Sequence, residues 1–138
     1  MMKTIFQLSV SLLLSATLTG CACWYKGPAP ANTPIAGVHH VVLCWLKEPG
    51  KATDRQQLIE VSKSFTHIPG VISVHAGEVM PSDRAIVDDS FDVAIYLTFA
   101  TEEDLQRYLD HPKHQEAKKD TLMPLVKKVV VYDFKTTL

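Results

Sequence analysis

Nine consecutive residues, Val38-His39-His40-Val41-Val42-Leu43-Cys44-Trp45-Leu46, constrain this chain more than any other segment. Valine, leucine and tryptophan suit extended backbone, and successive side chains of a strand point to opposite faces. Here both alternating sets are apolar-rich, so a strand at this position must be covered on both sides. His39 and His40, being adjacent, then point to opposite faces and cannot share one metal ion on a regular strand. Pro49-Gly50 ends the run.

The rest of the chain changes period in a regular order. Leu58, Val61, Phe65 and Ile68 fall at helical spacing among polar residues from Thr53 onward, which predicts an amphipathic helix broken by Pro69-Gly70. Val71 to Val79 alternates as a strand, Met80 to Ser90 is a polar connection, and Phe91 to Phe99 is a third strand. Thr101-Glu102-Glu103-Asp104 offers a hydroxyl N-cap with acidic residues in the first turn of a second helix. That helix should stop near Leu109, because a residue before proline disfavours helical geometry, and a second piece can restart at Pro112 and run to about Leu122. Val129 to Phe134 closes the chain as a strand. The order βαββαβ predicts an α+β fold of ferredoxin-like type, a four-stranded antiparallel sheet with helices on one face.

The segment ahead of this domain has another character. Lys3 precedes the apolar run Leu8 to Ala16, and Leu18-Thr19-Gly20-Cys21 follows. The apolar core is shorter than the roughly 20 residues of a spanning helix, so residues 1–20 read as an export signal. Leu-Thr-Gly-Cys resembles the lipobox of bacterial lipoproteins, which implies a diacylglycerol on the Cys21 thiol, a palmitate-type acylated N-terminus and anchoring in the cell envelope. Ala22 rather than Asp follows Cys21, and by resemblance to the enterobacterial sorting rule this favours the outer membrane, facing the periplasm, over the inner one. Residues 21–36 carry Pro28, Pro30 and Pro34 among small residues and read as a lipidated cysteine with a flexible tether, leaving 37–138 as the folded domain.

Charge excludes one class of partner. Of 14 basic and 15 acidic side chains, loss of Lys3 with the signal leaves 13 against 15, a net charge of −2, so nothing attracts nucleic acid. Cys23 and Cys44 sit in an oxidising context. Either they pair, or Cys44 is a small buried apolar residue and Cys23 stays exposed near the membrane. About 100 residues make a marginal core, and a second copy would help to cover an apolar sheet face.

Four motifs in order carry a family resemblance: His-His-Val-Val-Leu-Cys-Trp-Leu-Lys in the first strand, Ile68-Pro69-Gly70-Val71, Tyr108-x-x-His111-Pro112-x-His114, and the closing Val-Val-Val-Tyr-Asp-Phe. Over residues 37 to 135 the chain resembles the stress-responsive A/B barrel family. The resemblance implies a homodimeric α/β barrel in which two sheets lie face to face and pockets form beside them. In family members with polyketide cyclase activity, the Tyr and second His of the third motif look toward the pocket, joined by a His early in strand one. The matching positions are Tyr108, His114 and His40. Such cyclases carry a further His early on strand three, where this chain has Phe91-Asp92-Val93.

One imidazole of this set could take a proton beside a carbonyl while Tyr108 hydrogen-bonds the developing oxyanion, with no cofactor. Each residue also has a plainer reading. His111 suits a helix terminus, bonding last-turn carbonyls; His114 either lines a pocket or bonds backbone; Tyr108 either acts or packs in the core. Asp133 and Lys47 read as solvated strand ends, and His67 and His75 as surface residues. No third ligand joins His111 and His114, so no metal site is expected, and neither cysteine has the setting of a nucleophile. Haem-degrading and quinol-forming monooxygenases exist on related dimeric barrels, but no residue here marks them. The expectation is a lipid-anchored homodimer holding a small apolar or aromatic molecule in a pocket lined by His40, Val42, Cys44, Tyr108 and His114. A cyclase, isomerase or monooxygenase is the enzymatic alternative, and a ligand-free structural dimer the third.

Overall fold

The computed structural model describes residues 37–137. The expectations for residues 1–36, including the export signal, Cys21, Cys23 and the tether, lie outside the described residues. Strand β1 (Gly37–Leu46) is followed by α1 (Ala52–Lys63), β2 (Val71–Glu78), β3 (Val93–Phe99), α2 (Glu102–Asp110), α3 (Pro112–Ala117), a π-helical turn (Lys118–Leu122), a short turn α4 (Met123–Leu125) and β4 (Val126–Thr136). The four strands form one sheet in the order β2-β3-β1-β4. All three pairings are antiparallel, and with the helices they make the ferredoxin-like α+β fold.

β1 holds this sheet together because it pairs on both edges. It runs against β3 from Val38↔Phe99 to Cys44↔Val93, and against β4 from Gly37↔Thr136 to Leu46↔Val126. Its even side chains face the helices, where Val38, Val42, Cys44 and Leu46 are buried with Val93, Ile95, Leu97 and Phe99 of β3. Leu58 and Ile59 of α1, Phe65 and Ile68 beyond it, and Leu105 and Tyr108 of α2 close this core. Each large apolar side chain fully enclosed here contributes about 1.5–3 kcal/mol. The odd positions face away from the helices. There His75, Tyr96, His39 and Phe134 lie in a row of stacked rings across the four strands, with centroid separations of 6.0, 5.8 and 4.7 Å.

The bounds of α1, β3 and β4 differ from those predicted by periodicity. α1 stops at Lys63 although Phe65 and Ile68 continue its apolar stripe. The Ser64 hydroxyl donates to Val61 O at 2.6 Å and the Thr66 hydroxyl to Lys63 O at 3.1 Å, and these local bonds accompany a tighter 3₁₀ turn over Ser64–His67. β3 begins at Val93 rather than Phe91, because Asp92 is taken up in tying the loop to β1: its carboxylate accepts from Leu46 N–H at 2.8 Å and its own N–H donates to Cys44 O at 2.9 Å. β4 is longer than its apolar run at both ends. Lys127, Lys128 and Lys135 are polar, but an edge strand with an exposed flank accepts them.

The turn from α1 into β2 depends on Gly70, whose φ of 93° suits glycine and disfavours other residues. A Cβ at this position would lie 2.8 Å from Asp104 Oδ1 in the first turn of α2. Asp104 cannot easily yield, since its carboxylate accepts from the Thr101 hydroxyl and pairs with Arg107. Gly70→Ala is therefore expected to destabilise the domain by about 1–3 kcal/mol, read as a lower urea midpoint at unchanged slope.

Candidate functional site

A cavity of about 220 Å3 lies between the helix-bearing face of the sheet and the helices. The sheet supplies His40, Val42, Ile95, Val129 and Val131, α1 supplies Leu58, Val61 and Ser62, and Phe65 follows from the 3₁₀ turn. Tyr108 and Leu109 come from α2, and His114, Ala117, Lys118 and Leu122 from the chain after the proline. Most of this wall is hydrocarbon. Its mouth lies along β4, where Val129 and Val131 remain 38% and 46% exposed because no helix covers them.

The helix break positions two of the polar groups. Thr101 caps α2, accepting from Asp104 N–H at 3.1 Å, and α2 then buries Leu105 and Tyr108, three residues apart, on one face. His111 leaves the helix with ψ of 133°, as a residue before proline must, and Pro112 starts α3 with no N–H to satisfy. The expected bonds from His111 to last-turn carbonyls are not made by its ring. Instead its Nδ1 accepts from Lys113 N–H at 3.2 Å, so the imidazole caps the start of α3, because the extended backbone at His111 turns the ring forward. α3 then brings His114 back over Tyr108, with ring centroids 4.5 Å apart.

His114 combines both roles foreseen for it. It lines the cavity, and its Nδ1–H donates to Leu109 O at 3.0 Å, which places the neutral ring's proton on Nδ1 and leaves Nε2 as the basic atom. Burial pushes its pKa below the ordinary 6.5; charge on His40, Lys118 and His111 acts in the same direction, against the Leu109 bond. Tyr108 is 2% exposed, its ring packed at 5.3 Å from Phe99 and 5.6 Å from Phe65. Burial raises its phenol well above the usual 10.0, so the hydroxyl stays protonated and is a donor.

His40 enters from the opposite wall, 6.0 Å from Tyr108 between ring centroids. Its Nδ1–H donates to Asp133 Oδ1 at 2.6 Å, an arrangement that fixes the tautomer and leaves Nε2 toward the cavity. Asp133 is thus more than a solvated strand end. It is the direct cross-strand partner of His40 in the β1–β4 register, and that pairing is the signal from which it could be found. Cys44, expected on the wall, is not there. It shares the face of His40 and Val42 but lies further along β1, fully enclosed with cross-strand partners Val93 and Val129, and burial pushes its thiol up to about 12. The Ser62 hydroxyl on the wall is occupied by Leu58 O at 2.7 Å. Lys118, unremarked in the sequence, lines the cavity as well. Among the described residues no group of three metal-binding side chains occurs.

A sequence model of the stress responsive A/B barrel domain matches residues 38–136. No curated protein sequence matches the chain. Among solved structures, a hydroxynitrile lyase from Passiflora edulis is similar at 24% identity and a TM-score of 0.63, over 75% of this chain and 96% of that one. A dabb family protein with a ferredoxin-like fold from Mesorhizobium loti is similar at 22% identity and 0.61, over 75% and 98%. A dimeric ferredoxin-like protein of unknown function from Thermobifida fusca is similar at 19% identity and 0.60, over 80% and 100%.

The folded state favours neutral His114, so its protonation opposes folding. Below pH 6.5, the ordinary value, the unfolded chain takes up a proton that the folded chain resists, and stability falls as pH drops toward the folded-state pKa. Two-dimensional NMR should give a His114 midpoint below 6.5. Urea unfolding of wild type should weaken more than that of His114→Gln as pH is lowered through that window.

Proposed function

This chain belongs to the stress responsive A/B barrel domain family, and from that premise we propose that it is a lipid-anchored envelope protein that dimerises through its sheets and binds a small, largely apolar molecule. The cavity carries this reading. An interior space of about 220 Å3 with hydrocarbon walls and three convergent polar groups, His40, Tyr108 and His114, is the form of a ligand site rather than of a packed structural core. Its volume is below the roughly 300–1,000 Å3 of drug-sized sites, so its occupant is a single ring or a short chain.

Self-association is supported by the uncovered face of the sheet, where Tyr132 and Phe134 are 57% and 49% exposed, and by the dimeric state of the Thermobifida fusca protein. Anchoring is supported by the Lys3 to Cys21 pattern, with Cys21 as the acylated residue and the outer membrane, facing the periplasm, as the destination.

A second reading, turnover by proton transfer, is favoured by the His40–Asp133 pair and by the tautomer of His114. Neutral His114 presents Nε2 as a base able to remove a proton beside a carbonyl. The Tyr108 hydroxyl, held protonated by burial, can donate to the oxyanion that forms. His114 Nε2–H can then return that proton to another atom of the substrate, while Asp133 holds His40 in place on the opposite wall. These steps need no cofactor and use only groups on the cavity wall and the carboxylate behind one of them.

Val131→Trp places an indole across the mouth without disturbing the core. Native mass spectrometry of the purified protein is expected to show a small retained molecule, and the variant to retain about tenfold less of it while circular dichroism stays unchanged. For the second reading, His114→Ala should reduce product formation from that molecule by about 10²–10⁴-fold. Equal rates for wild type and variant would remove the catalytic claim and leave binding intact.

A further inference from the structure

We propose that Lys118 makes the cavity selective for anions, and that the occupant is a small monocarboxylate whose hydrocarbon body fills the pocket and whose carboxylate meets the lysine at the rim. This rests on the binding reading above and names its ligand class.

The cavity wall holds no Asp or Glu. The carboxylate behind it, Asp133, is engaged by His40. Lys118 is the wall's one lysine. Among the described residues it has no ion pair, whereas Lys51, Lys63 and Lys135 each meet a carboxylate. An apolar pocket whose single fixed cation lacks a counter-ion complements a molecule that is apolar at one end and anionic at the other.

Lys118 follows His114 by one helical turn and so shares its wall, and the π-helical turn that begins there keeps Leu122 on that wall too. His114, Lys118 and Leu122 are four residues apart and all line the cavity. In a straight α-helix of about 3.6 residues per turn, the third would have rotated roughly 80° away from the first. The wider turn over Lys118–Leu122 removes much of that drift and keeps the three on one wall. Such turns cost regular hydrogen bonding and occur often at functional sites.

The position of the lysine at the rim matters energetically. A carboxylate carried wholly into hydrocarbon would lose several kcal/mol of hydration that one ion pair does not restore. Lys118 is exposed, so a carboxylate meeting it stays partly hydrated while the ligand's body is desolvated. The charge of Lys118 is felt inside the pocket, since it is among the charges that disfavour protonation of His114.

The test compares hexanoate with hexanamide, two probes of nearly equal shape, by isothermal titration against the full chain. Wild type is expected to bind hexanoate at least about tenfold more tightly, the scale of one charge-assisted hydrogen bond. Lys118→Met should bring the two affinities to within about twofold of each other, and Lys118→Arg should keep the preference for hexanoate. Equal affinities in wild type, or a preference that survives in Lys118→Met, overturn the assignment of Lys118 and leave the binding reading standing. If neither probe binds, both are overturned.

Discussion

Everything in this domain hangs on β1, a central strand that joins β3 to β4 and presents its even side chains to the helices. Its backbone bonds to β3 and β4 leave no freedom of register, and a slip by one residue would exchange the two faces. His40 would then leave the cavity and His39 would enter it. The apolar pattern from Val38 to Leu46 suits either face, so sidedness is set by the backbone ladders and the side-chain bonds that pin them. Asp92 reinforces it by bonding Leu46 N–H and Cys44 O where the ladder with β3 ends.

The second determinant is His111-Pro112, a break that serves both helices it separates. Its main-chain N–H closes α2 on Tyr108 O, its carbonyl accepts from Gln115 N–H, and its ring caps Lys113 N–H. One residue in extended geometry thus satisfies groups from two helix ends that would otherwise be unpaired. The change of direction brings His114 onto Tyr108, two rings that a continuous helix would carry about 120° apart around its axis. Proline fixes the bend through sterics alone, so the cavity corner does not depend on a ligand to form it.

Much of this was legible in the sequence, and the limits have physical causes. The order of elements followed from the change between periods two and 3.6, and the break from a proline whose effect is local. Tyr108, His114, His40 and Val42 line one cavity. Cys44 failed because face and depth are different properties: alternation puts it on the correct face, but only the packing of Val93 and Val129 around it decides that the space there is filled. Asp133 was undervalued because its role depends on β4 lying beside β1, a pairing across 93 residues of chain. Lys118 was invisible for a further reason. Its spacing of four from His114 puts it on the same helix face, but an exposed lysine carries no mark in the sequence of the cavity it borders.

The two adjacent histidines of β1 show how the same side chain is assigned opposite work by its surroundings. His39 has both nitrogens occupied, Nδ1 by Tyr96 OH at 2.7 Å and Nε2 by Thr136 Oγ1 at 3.0 Å, and its ring is stacked between Tyr96 and Phe134. No lone pair or proton is left over, so it acts as a polar cross-link within an aromatic row. His40 has one nitrogen held by a carboxylate and the other turned to a space large enough for a molecule. The chemistry available to this fold therefore lies on the helix side of the sheet, and the opposite side is built for contact.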